Sequence, residues 1–112
     1  MRIWLDDERL PPSGTWTWAK TYEEAISLLK NERVEEISFD NDLGEKMEGY
    51  DVAKWIEEMA ANGAIDEIAW KVHSGNIVGR KNIEAAMRKA DSFWQNEQDE
   101  EEEEIEEDGE WQ

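Results

Sequence analysis

Three short apolar runs in this chain each stop abruptly in a polar cluster, and the stretches between them carry helical periodicity. Ile3-Trp4-Leu5 ends at Asp6-Asp7, Ile37 to Phe39 ends at Asp40-Asn41-Asp42, and Ile68 to Val72 ends at His73-Ser74. Runs of this length read as buried strands, and strands alternating with helices imply a mainly parallel sheet with right-handed crossovers. Ligands of such sheets bind beyond the carboxyl ends of the strands. The three clusters are therefore expected on one rim, and that convergence is the main functional signal of the sequence.

The remaining elements fill in around these runs. Thr15-Trp16-Thr17-Trp18-Ala19 alternates with a period of two, as a half-buried edge strand does. Thr21 and Glu24 have the spacing of a capping box, and Tyr22, Ala25, Ile26 and Leu29 share one helical face. The third strand is expected over Val34 to Phe39. A second helix is expected from about Tyr50 to Ala61, with a stripe of Val52, Ile56, Met59 and Ala60 and a stop at Asn62-Gly63. Ile68, Trp70 and Val72 alternate with Ala69 and Lys71 in a fourth strand, and its outward lysine suits an edge position. The last helix is expected from about Val78 to Trp94, with Ile83, Met87, Ala90 and Trp94 toward the core. Trp4, Trp16, Trp18, Trp55 and Trp70 are assigned to the core as well.

Charge divides the chain in two. The formal net charge is −18, but eleven of the thirty acidic residues lie between Glu97 and Glu110, where no basic residue occurs. Residues 1–96 are read as one domain and 97–112 as an acidic disordered tail, because like charges at this density oppose compaction. Such a balance argues against direct binding to a nucleic-acid duplex and leaves the tail as a solubilising extension or as a contact for a basic protein partner. Cysteine is absent and histidine occurs once, which excludes disulfides and thiolate metal sites. No long apolar run is present, so neither a membrane span nor a secretory signal is expected, and a cytoplasmic location follows by default.

These residues resemble the receiver domains of two-component signalling, with an acidic pair after strand one, an aspartate after strand three and a small hydroxyl residue after strand four. Pro11 to Gly14 stands where the first helix would be, and no fifth strand with its lysine follows Ser74. A closer resemblance is to the cyclic-phosphate processing receiver domain family. The stretches that carry it are Leu5 to Pro12, Ser38 to Glu45, Gly49-Tyr50-Asp51 and Val72 to Asn76, followed by Val78-Gly79-Arg80. The fold implied is α/β, a three-layer receiver-like (flavodoxin-like), mainly parallel sheet of about four strands that lacks the first helix and the fifth strand.

The function implied is hydrolysis of a cyclic phosphate on a nucleotide or RNA-derived small molecule. Opening such a ring needs a nucleophile, charge stabilisation at phosphorus and a proton for the leaving oxygen. Asp6, Asp7 and Asp40 are hard oxygen ligands suited to magnesium (Mg2+). His73 is then the general acid or base, Ser74 and Arg80 contact phosphate oxygens, and Asp42 orients His73 or joins the metal. Asn41 stands where the family usually has histidine, a change that impairs the reaction if that histidine is the acid or base. Each group also has a structural reading: Asp42 and Ser74 as turn residues, His73 as a hydrogen-bonded core residue, and Arg80 as the partner of Glu84. Two other functions stay open on the sequence, a receiver-type phosphoacceptor or metal switch at Asp40 and a non-catalytic acidic binding or inhibitor protein.

Overall fold

A computed structural model describes residues 1–110, with side chains described for residues 1–96; of the expected acidic tail, 97–112, only the backbone of 97–110 is described, as part of the last helix, and 111–112 lie outside the described residues. The elements are β1 (Arg2–Leu5), β2 (Trp16–Ala19), α1 (Tyr22–Asn31), β3 (Glu36–Phe39), α2 (Gly49–Ala61), β4 (Ala69–Val72) and α3 (Ile77–Glu110). The strands form one parallel sheet in the order β2-β1-β3-β4. The alternation of strand and helix signals thus resolves into the expected α/β receiver-like sheet of four strands, with β2 and β4 at its edges. No described helix is long and apolar enough to cross a membrane.

Local signals explain most boundaries. The Thr21 hydroxyl accepts the Glu24 N–H at 3.1 Å, as an N-cap does, while the Glu24 carboxylate accepts from Lys20 N–H at 2.8 Å, one residue before the cap. At α2 the Asp51 carboxylate accepts the Glu48 N–H at 2.7 Å, a capping contact that moves the helix start back to Gly49. The apolar stripe of α3 consists of Ile83, Met87, Ala90 and Trp94, all buried, and with Val52, Ile56 and Ala60 of α2 it covers Ile3, Leu5, Ile37 and Phe39.

The layering differs from expectation. Three layers were expected, but the chain connects β1 to β2 through the proline-containing segment 6–15 without a helix. The two remaining crossovers, β2 to β3 and β3 to β4, run in the same direction across the sheet, so right-handedness puts α1 and α2 on the same face. The third helix packs on α2 and β4, and among the described residues no helix covers the opposite face. That open face carries Arg2 and Trp4 of β1, Trp16 and Trp18 of β2, Glu36 of β3 and Lys71 of β4.

The tryptophan assignment changes with it. Trp55 and Trp70 are partly buried against the core, but Trp4, Trp16 and Trp18 lie outside it on the open face. Arg2 sits 3.9 Å from the Trp16 ring centroid and Lys20 4.3 Å from that of Trp18, so cations shield part of this aromatic surface. Glu36 bonds Arg2 at 2.9 Å and Lys71 at 3.3 Å across the same strands.

Candidate functional site

The parallel ladder continues one residue past each strand and aligns the polar ends. Asp6 N–H bonds the Ala19 carbonyl at 3.0 Å, Asp40 N–H the Leu5 carbonyl at 2.8 Å, and His73 N–H the Phe39 carbonyl at 2.9 Å. Asp6, Asp40 and His73 therefore stand side by side at the carboxyl edge. Over them opens a polar pocket of about 540 Å³, whose lining includes Asp6, Asp7, Asp40, Asp42, Arg9 and Ser74.

Asp6 is the organising group. It is 1% exposed, and its Oδ1 accepts the backbone N–H groups of Glu8 and Arg9, both at 2.8 Å, closing the loop after β1 around the carboxylate. Its Oδ2 lies 3.0 Å from His73 Nε2. Burial pushes the carboxyl pKa up, but the N–H bonds from Arg9 and Glu8 and the contact with His73 outweigh it, and the net shift is down. Asp6 thus stays ionised.

His73 is held on three sides. Its Nδ1 lies 2.8 Å from the Ser38 hydroxyl, its Nε2 meets Asp6, and its ring stacks on Trp4 with centroids 3.8 Å apart and planes 3° from parallel. Burial lowers its pKa, with the Asp6 carboxylate opposing, so the ring is neutral near pH 7. A carboxylate only accepts, so Nε2 carries the proton toward Asp6 and Nδ1 accepts from Ser38. Both ring nitrogens are engaged behind Asp6, and the pocket lining does not include His73.

Asp6, Asp7 and Asp40 offer carboxylate oxygens that all lie within 4.8 Å of one another. An all-oxygen, negatively charged donor set fits a hard divalent cation such as magnesium and no thiolate-seeking metal. Gly44 frames the cluster: its φ is +67°, and a Cβ there would lie 2.8 Å from Asp7 Oδ2. Only glycine takes that backbone without strain while letting Asp7 approach.

The other expected residues separate into two groups. Asp42 is exposed on the pocket lining, with Oδ1 accepting from Asn76 at 3.2 Å, and Ser74 lines the pocket while its Oγ accepts the Asn76 N–H at 3.1 Å. Arg80 is not on the lining, and its Nε lies 3.9 Å from Glu84, the pairing that its helical spacing allows. Asn41 is 2% exposed and is not on the pocket lining, although its Nδ2 reaches Asp42 Oδ1 at 3.4 Å. Its Oδ1 accepts the Tyr50 N–H at 3.1 Å and its Nδ2 donates to Glu48 at 3.2 Å, while its carbonyl accepts the Gly49 N–H at 2.8 Å. Gly49 is what permits this approach, since a Cβ at that position would overlap the Asp40 carbonyl.

The sequence reading missed Arg9, Asn76, Ser38 and the site role of Trp4. Arg9 directly follows the acidic pair and could have been found from that placement. The contribution of Trp4 and Ser38 depends on strand pairing, which no local pattern announces.

A family model described as the cyclic-phosphate processing receiver domain matches residues 1–89. Neither the curated proteins nor the solved structures give a significant match.

Proposed function

The chain belongs to the cyclic-phosphate processing receiver domain family, and from that premise we propose that it hydrolyses a small cyclic phosphodiester in the pocket over the carboxyl ends of β1, β3 and β4. The observation that supports this most is the gathering of Asp6, Asp7 and Asp40 within 4.8 Å in a pocket that Asp42 and Ser74 also line. Asp6, Asp7 and Asp40 would hold a magnesium ion, which when bound supplies positive charge against the charge that builds up on the phosphoryl oxygens.

The chain's own groups account for the proton. A water molecule attacks phosphorus, the bond from phosphorus to one ring oxygen breaks, and the product is a phosphomonoester. The exposed Asp42 carboxylate takes the proton of the attacking water and returns it to the departing ring oxygen, which balances the step. The Ser74 hydroxyl, whose oxygen already accepts the Asn76 N–H, donates its own proton to a phosphoryl oxygen.

His73 orients Asp6 rather than meeting the substrate, since both its nitrogens are engaged inside the protein. Asn41 is not on the pocket lining, and the one side-chain hydrogen bond it makes with a group used here is that of its Nδ2 with Asp42 Oδ1 at 3.4 Å, so it supports Asp42 and does not meet the substrate.

Phosphorus NMR of a panel of small cyclic phosphates, with and without magnesium, tests the reading. Wild type should convert ring diester to monoester only with the ion, and Asp40→Asn and Asp42→Asn should each slow conversion by roughly 100-fold or more, the range of a lost acid–base or charge-stabilising group. Absence of ring opening across the panel would refute it.

A further inference from the structure

Five carboxylates, Asp6, Asp7, Glu8, Asp40 and Asp42, line a pocket meant for an anion, and the same lining holds one cation, Arg9. We propose that Arg9, rather than Arg80, is the side chain that holds the substrate phosphate. The proposal rests on the reading of this pocket as a cyclic-phosphate site and names the group that lets an anion enter it.

The main chain of Arg9 is fixed at two points. Its N–H is held by Asp6 Oδ1 at 2.8 Å, and its carbonyl accepts the Trp4 indole N–H at 2.9 Å. Trp4 also stacks on His73, whose carbonyl takes one guanidinium N–H of Arg9 at 3.3 Å. The indole therefore sets both the root of the arginine and the carbonyl that steadies its head.

The guanidinium itself is left largely free. An arginine offers five N–H donors in a planar fork, and only the His73 carbonyl takes one of them within hydrogen-bond distance. Its Nε lies 3.8 Å from Asp6 Oδ2, a separation of charge proximity and not of a hydrogen bond, and the side chain is 59% exposed. Simple neutralisation of Asp6 would draw the fork onto that carboxylate. The observed arrangement keeps donors available at the pocket mouth, where two phosphoryl oxygens could be bound side by side.

Titration with inorganic phosphate in saturating magnesium, by calorimetry on the full chain, tests the assignment alongside a separate magnesium titration. Arg9→Gln should weaken phosphate binding by roughly 10- to 100-fold, the range for a charge-assisted contact, and leave magnesium affinity equal or tighter. Arg9→Lys should recover part of the loss, because a point charge lacks the fork. Arg80→Gln should bind phosphate like wild type. Equal phosphate affinity in wild type and Arg9→Gln overturns the proposal. So does a parallel loss of magnesium binding, which would mark Arg9 as structural support for the carboxylate loop. Should phosphate bind through Arg9 while no cyclic ester is opened, the hydrolytic reading fails and this assignment stands.

Discussion

Replacing Asn41 by alanine should unfold the protein more easily without directly removing any pocket group. The side chain is 2% exposed, and it joins the start of α2 to the end of β3 through the Tyr50 N–H at 3.1 Å and the Glu48 carboxylate at 3.2 Å. Each lost bond is worth about 1 kcal/mol, and the partly buried Tyr50 N–H left without a partner adds to that, for about 2–3 kcal/mol in all. In a domain of this size such a loss lowers Tm by roughly 10–20 °C. Asn41→His, which restores the residue usual in the family, should also destabilise, by about 1–3 kcal/mol from overpacking. The main chain of α3 leaves little room, since a Cβ on Gly79 would already overlap the Asn41 side-chain amide. Urea unfolding followed by circular dichroism measures both. A stability change below about 0.5 kcal/mol for Asn41→Ala, with ring opening abolished, would refute the structural assignment and make position 41 part of the chemistry.

Two further outcomes follow from the same geometry. Gly44→Ala should weaken magnesium binding by at least tenfold, because the left-handed backbone and the 2.8 Å approach to Asp7 Oδ2 both resist a methyl group; unchanged affinity in calorimetry would remove Asp7 from the cluster. Stability in the absence of divalent ions should fall as pH drops, since folding holds the pKa of His73 below its ordinary value of 6.5 and those of Asp6 and Glu36 below their ordinary 3.8 and 4.5. The His73 contribution is complete above pH 6.5 and is lost as the unfolded chain takes up a proton the folded one refuses, with a slope of at most about 1.4 kcal/mol per pH unit. The Asp6 and Glu36 contributions persist to lower pH and are lost as pH falls through their folded pKa values. Urea midpoints that stay flat or rise between pH 7.5 and 5 would contradict this sign.

The sequence by itself determined the elements and the rim. Period-two and helical patterns located four strands and three helices, and the polar endings of Leu5, Phe39 and Val72 placed Asp6, Asp40 and His73 at one edge, because parallel strands in register bring equivalent ends together. Tertiary structure decided what those residues face. The omitted first helix and the shared direction of the two crossovers left one sheet face open, so tryptophans with the alternation of core residues lie outside the core. Pleat parity then set Trp4, Ser38, Asp6 and His73 on that open side, where the ring is locked behind Asp6 and kept from the pocket. The loop after β3 turned Asn41 inward and left Asp42 exposed, although the two are adjacent in sequence. Side-chain direction at strand ends and in loops is fixed by partners distant along the chain, and a local pattern carries no record of them.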